Sequence, residues 1–144
     1  MNTIQLSSND ICFINKAFTK KQAIEAVAKN MIDAHLVKDD YIEAMFDRDS
    51  QISTFLGNGI AIPHGTTEKR DSVLQTGIKV LFCPQGINWD EDNNIAYVII
   101  GIAAKANEHL DVLRQLTRAV IAQDTLTRIK AVKNPDELLM ILQG

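Results

Sequence analysis

The chain of 144 residues holds only two cysteines and three prolines, and its 15 basic side chains are outnumbered by 18 acidic ones. Each shortage excludes something. Cys12 and Cys83 lie far apart in sequence, too few for a disulfide framework, and with three histidines at no close ligand spacing they make no case for structural zinc. Both sit in apolar runs and read as reduced, buried thiols. A formal net charge of -3 without a basic cluster argues against nucleic acid, whose phosphates are bound by grouped Lys and Arg. The longest nearly uniform apolar run, Ile95 to Ala104, falls far short of the ~20 residues that span a bilayer. The start, Met1-Asn2-Thr3-Ile4-Gln5, lacks the basic and apolar regions of a signal peptide, so a cytoplasmic protein is expected. No Gly-x-x-x-x-Gly-Lys-Ser/Thr and no Gly-x-Ser-x-Gly occurs, and Gly57-x-Gly59 alone is too weak a signal for a nucleotide. With no repeat, linker or low-complexity segment, and 46% hydrophobic residues, residues 1–144 are expected to form one domain around one core, with no metal and no cofactor.

What is present alternates between strand and helix patterns. Ile11-Cys12-Phe13-Ile14 reads as a short strand. Thr19 with Gln22 has capping-box spacing, and Ala23, Ile24, Val27, Ala28, Met31 and Ile32 follow on one helical face. That helix ends near His35, read as a cation at a helix C-terminus. Asp40 with Glu43 opens a second helix in the same way, with Tyr41, Ile42, Met45 and Phe46 as apolar contacts and Arg48 at its end. Gly77 to Phe82 reads as a strand, Pro84-Gln85-Gly86 as a turn, Ile87-Asn88-Trp89 as the start of a short edge strand, and Asp90 to Asn94 as a solvated acidic loop. Residues 67–71 form a polar turn or short helix. Ile95 to Ala104 is the best central strand, buried on both faces. Helices are expected along Leu110, Leu113, Leu116 and Val120, over Leu126 to Val132, and after Asn134-Pro135-Asp136-Glu137, which supplies a cap, a proline at the first position and an acid at the third. The whole predicts an α/β fold, a three-layer sandwich with a central mixed β-sheet flanked by helices on both sides.

One stretch is more constrained than the rest. Ile60-Ala61-Ile62 is an apolar run stopped by Pro63, which fixes its own φ and holds the preceding residue extended. His64 follows at once, with Gly65 permitting close backbone approach and Thr66 and Thr67 adding hydroxyls. On residue chemistry alone two readings stand: a satisfied structural histidine, or a nucleophilic imidazole presented at a strand end. His109, after the central strand and with Asn107 as N-cap, sits where helix N-termini bind anions, and could equally be capping its own helix. Arg48 is either a solvated charge at a helix end or a fork that grips two oxygens of an anion. Thr66 is either a turn-forming hydroxyl or a donor to a phosphoryl group.

Gly57-Asn58-Gly59-Ile60-Ala61-Ile62-Pro63-His64-Gly65-Thr66 resembles the phosphohistidine loop of EIIA domains of the bacterial phosphoenolpyruvate-dependent sugar phosphotransferase system, mannitol and fructose branch. The similarity extends over Met45-Phe46-Asp47-Arg48, Ile99-Ile100-Gly101-Ile102-Ala103-Ala104 and Asn107-Glu108-His109-Leu110, the last two looking mannitol-like. The resemblance implies that His64 accepts a phosphoryl group from the carrier HPr, with Nε2 as the reacting nitrogen, and hands it to a cysteine of an EIIB domain. It also implies that His109 is the second active-site histidine and that Arg48 supports the onward transfer. Both partners would dock over a shallow apolar ring around His64. The membrane would be reached only indirectly, through EIIBC, and the chain itself would bind no sugar. A regulatory domain of the nitrogen-regulatory type, controlling a partner protein through its phosphorylation state, would carry the same site. Cys83-Pro84-Gln85-Gly86 only faintly resembles an EIIB phosphocysteine loop and lacks its glycines and hydroxyls.

Overall fold

The computed structural model describes residues 7–66, 71–104, 114, 118 and 124–143. Among these, five strands form one mixed sheet in the order β1-β4-β5-β3-β2. β1 (Ile11–Phe13) runs parallel to β4 (Gly77–Asn88), β4 antiparallel to β5 (Ile95–Ala103), β5 parallel to β3 (Ile60–Ala61), and β3 antiparallel to β2 (Phe55–Gly57). The expected central strand is therefore the middle of the sheet. From Val98 onward its side chains alternate strictly: Val98, Ile100 and Ile102 enter one core, Ile99 and Ala103 the other. Each face has its own helical cover, α1 (Lys20–Asp33) and α2 (Tyr41–Gln51) on one side, and α3 (Thr125–Lys130) and α4 (Pro135–Gln143) on the other. The three-layer α/β sandwich expected from the pattern is what the chain adopts.

The helix boundaries follow from caps. Thr19 Oγ1 accepts the Gln22 amide at 3.1 Å while Gln22 Oε1 accepts the Thr19 amide at 2.9 Å, so the reciprocal box opens α1. At its other end the Leu36 N–H reaches the Met31 carbonyl and the His35 N–H the Ile32 carbonyl, both at 2.9 Å, with His35 at φ 59°. This is a Schellman closure in which histidine occupies the left-handed position usually held by glycine. In α4, Asn134 Oδ1 accepts the Glu137 amide at 3.0 Å and Glu137 Oε1 returns to the Lys133 amide at 2.7 Å.

Several expectations are corrected. Asp40 makes no side-chain cap to α2 and instead accepts the Ser72 hydroxyl at 2.7 Å, tying the helix start to the segment before β4. β4 does not turn at Pro84: it continues to Asn88, because the register slips between Phe82 and Ile87 and leaves Pro84 and Gln85 exposed, where a missing N–H costs the ladder nothing. Trp89, expected to belong to an edge strand, follows β4 and is buried in the α1–α2 core. The acidic loop is an organised turn in which Asp90 accepts from the Asp92 amide and from the amide and side chain of Asn94. Cys83 is buried as expected but Cys12 is exposed, because β1 is the edge strand and only Ile11 of its three residues is buried. Of the helix expected over Leu110 to Val120, only Arg114 and Arg118 are described, both helical, and residues 67–70 lie outside the described set.

Candidate functional site

The site grows out of a hairpin. Asn58 (φ 48°) and Gly59 (φ 81°) make the two-residue turn between β2 and β3, with Gly57 pairing Ile60. Asn-Gly is the preferred sequence for such a turn because both residues need positive φ. The glycines stand out in the sequence; the hairpin they make does not. β3 then lies along β5, and Pro63 ends it: the Ile62 amide goes to the Thr54 carbonyl at 2.9 Å, and the Ile102 amide goes to the Pro63 carbonyl at 3.1 Å. A final isolated bridge pairs His64 with Ile102 in parallel.

The imidazole is half-buried, and its Nδ1 lies 2.8 Å from the Ile62 carbonyl. A carbonyl oxygen can only accept, so Nδ1 carries the proton and the neutral ring has its lone pair on Nε2. The backbone two residues back thus selects the tautomer that a nucleophile at Nε2 requires.

Under the loop stands Tyr41, the first residue of α2 and only 4% exposed. Its hydroxyl accepts the Gly65 N–H at 2.9 Å and donates to the Ile102 carbonyl at 3.1 Å. Burial pushes its phenol pKa up, opposed by the Gly65 bond, so the proton it donates stays in place. Gly65 is required by this contact, since a Cβ there would fall 2.6 Å from the tyrosine ring. In sequence Tyr41 reads as an apolar contact of α2. The signal was available, because a buried tyrosine hydroxyl has to find partners.

Arg48, in the last turn of α2, directs Nη1 to the Ile52 carbonyl at 3.2 Å. Two residues on, the Thr54 carbonyl receives the Ile62 amide, and Ile62 in turn holds His64. Arg48 and His64 are therefore each bonded by their side chains to the two short segments, 52–54 and 62–64, that the Ile62–Thr54 backbone bond joins. Ile52 itself is 68% exposed, an apolar side chain at the surface beside Arg48. Thr66 is half-buried two residues beyond His64. His109, with Asn107, lies outside the described residues. His35, read as a helix-end residue, shapes the end of α1 and is no part of this site. No group of three or more metal-binding side chains occurs among the described residues.

The model of the EIIA 2 family of the phosphoenolpyruvate-dependent sugar phosphotransferase system matches residues 5–144. The chain belongs to this family. A multiphosphoryl transfer protein of Escherichia coli O157:H7 is 46% identical over 140 residues, which are 97% of this chain but 37% of that protein. The chain thus spans about a third of the length of such relatives. The mannitol-specific phosphotransferase enzyme IIA component of Staphylococcus aureus (strain Mu50) is 38% identical over 96% of both chains. Among solved structures, the complex of enzyme IIA for mannitol with phosphorylated enzyme IIB from Escherichia coli is matched with a TM-score of 0.88 at 35% identity, over 97% of this chain and 98% of that one. As an EIIA chain, the protein is a phosphotransfer component, and its sheet and helical layers are those of the mannitol EIIA fold.

Proposed function

We propose that this chain is a phosphocarrier for mannitol uptake, loaded on His64 by phospho-HPr and unloaded onto a cysteine of an EIIB domain. The observation that carries this is the 2.8 Å contact of His64 Nδ1 with the Ile62 carbonyl, in a chain of the EIIA family. As Nε2 bonds to phosphorus, the bond from phosphorus to the donor's nitrogen breaks and its electron pair stays on that nitrogen. The positive charge gained by the His64 ring is shared with Nδ1–H, which the Ile62 carbonyl faces. In the second transfer the thiolate of EIIB attacks the same phosphorus and the pair returns to Nε2. Little else is asked of the protein than positioning and charge stabilisation.

In this reading Arg48 grips the phosphoryl oxygens during donation, His109 hydrogen-bonds a phosphoryl oxygen, and Thr66 donates a hydroxyl. The exposed Ile52 belongs to the apolar surface over which the two partners dock in turn. Mannitol is favoured by the name of the Staphylococcus aureus relative and by the Escherichia coli complex, in which the partner is enzyme IIB for mannitol. Residues 1–144 act as one EIIA unit in the cytoplasm. No described helix is long and apolar enough to cross a membrane; in this reading the bilayer is reached only through EIIBC. The regulatory reading gains no observation of its own. Incubation with phosphoenolpyruvate, enzyme I and HPr is expected to give an acid-labile adduct, absent in His64→Ala. Label retained by His64→Ala would overturn the assignment.

A further inference from the structure

In a parallel pairing centred on His64 and Ile102, the Ile102 N–H binds the carbonyl before the histidine, and the Ile102 carbonyl takes the N–H of the residue after it. The first of these rungs is present, from Ile102 to Pro63 at 3.1 Å. At the second a side chain stands between the two groups: the Tyr41 hydroxyl accepts the Gly65 N–H at 2.9 Å and donates to the Ile102 carbonyl at 3.1 Å, so this rung of the bridge is shared with the tyrosine. We propose that Tyr41 is a positioning residue for phosphoryl transfer, its hydroxyl acting as a spacer that holds Gly65 off the Ile102 carbonyl and so sets where the His64 ring stands. This deepens the phosphocarrier reading and rests on it.

Three further observations support the spacer. Tyr41 is the first residue of α2, so the helix whose last turn carries Arg48 also begins under the histidine, and one rigid element relates the two. The ring is buried, and a Cβ on Gly65 would fall within 2.6 to 2.9 Å of three of its atoms, so ring and loop are fitted to each other. Asp40, the residue before it, is anchored by the Ser72 hydroxyl at 2.7 Å, which fixes the helix start from the other side. Without the hydroxyl, the part-buried Gly65 N–H and the buried Ile102 carbonyl both lose that partner, and closing on each other restores one. That closure draws the loop toward β5 and turns the imidazole away from its approach line.

The test compares wild type with Tyr41→Phe in single-turnover loading by phospho-HPr over a range of donor concentrations, together with melting curves and the ring nitrogen and proton resonances of His64. The expected result is a folded variant with an unchanged KM for the donor, a kcat lowered about ten- to a hundredfold as for other small misplacements of reacting groups, and displaced His64 ring signals. A folded variant with wild-type kcat, or with unmoved ring signals, would overturn the proposal. Because the ring signals report the spacer without phosphate, displaced signals in Tyr41→Phe together with a wild type that takes no label would sustain the spacer and sink the phosphocarrier reading.

Discussion

Asp49 and Thr54 are joined twice through one oxygen: Asp49 Oδ1 accepts the Thr54 hydroxyl at 2.8 Å and the Thr54 amide at 3.4 Å. Both residues are buried, and the same hydroxyl receives the Trp89 indole N–H at 3.1 Å, while Lys20 pairs with the other carboxylate oxygen. The network pins the segment between Arg48 and the His64 hairpin to the core. A buried acceptor that loses its donor keeps its full desolvation cost.

Thr54→Val keeps the shape and removes the hydroxyl, leaving the indole N–H without its acceptor and the carboxylate short of a donor. It is expected to lower stability by about 1–3 kcal/mol in urea unfolding, and Thr54→Ser to recover most of that. A Thr54→Val protein as stable as wild type would show that the network contributes nothing to holding the hairpin.

Arg48→Ala should separate the two half-reactions. Among the described residues its guanidinium makes one bond, from Nη1 to the Ile52 carbonyl just past the end of α2, so truncation is expected to change stability by only about 1 kcal/mol. A group that stabilises charge on the phosphoryl oxygens during donation is worth far more, and transfer to EIIB should fall about tenfold or more while loading from HPr falls less. Rapid-quench measurement of each step with labelled phosphate decides it, and equal slowing of both would remove the assigned role.

Much of this was legible because it is local. Thr19 with Gln22, and Asn134 with Pro135 and Glu137, state their caps within four residues, and Pro63 states where β3 must stop. The Ile and Val run from Ile95 to Ala103 declares a strand covered on both faces. What escaped depends on partners distant in sequence. Asp40 looks like a cap and serves Ser72, 32 residues away, and Tyr41 looks like core filling until Gly65 and Ile102 arrive from 24 and 61 residues off. Pro84 looks like a turn because a register slip in β4 cannot be seen without β5 beside it. The His64 loop itself was legible, but the bond that fixes its tautomer depends on the ring turning back to a carbonyl two residues earlier.

The ion pair of Asp10 with Lys79, at 2.7 Å, makes a pH-dependent contribution across the sheet edge. Burial alone would raise the Asp10 carboxyl, but the Lys79 and Ser7 hydrogen bonds outweigh it and hold it below the ordinary value of 3.8. A carboxyl lowered on folding stabilises above its unfolded pKa, and the gain is lost as pH falls through the folded one. The pair is partly exposed, so the effect is small, about 1 kcal/mol or less. Lys79→Met should be less stable than wild type at pH 6, and the two unfolding curves should converge as pH falls through the lowered pKa of Asp10. A constant gap down to the acid limit would mean that Lys79 acts through packing.

The two thiols should differ sharply in reactivity. Cys12 lies exposed on β1, whereas Cys83 is 1% exposed beneath α1 and α2. Burial first, and the neighbouring Cys12 second, push the Cys83 thiol up to about 11, so at pH 8 it holds almost no thiolate, the form that attacks. A disulfide reagent should therefore modify one thiol per chain in the native protein and the second only on unfolding. Cys12→Ser should abolish the fast phase and leave the slow one. Because Cys83 sits where β4 begins its register slip, the slow rate in native buffer also reports how often that part of the sheet opens. Fast release of two equivalents would place the β4 bulge among the least protected parts of the fold, at odds with the buried packing of Cys83, Ile87 and Trp89 on either side of it.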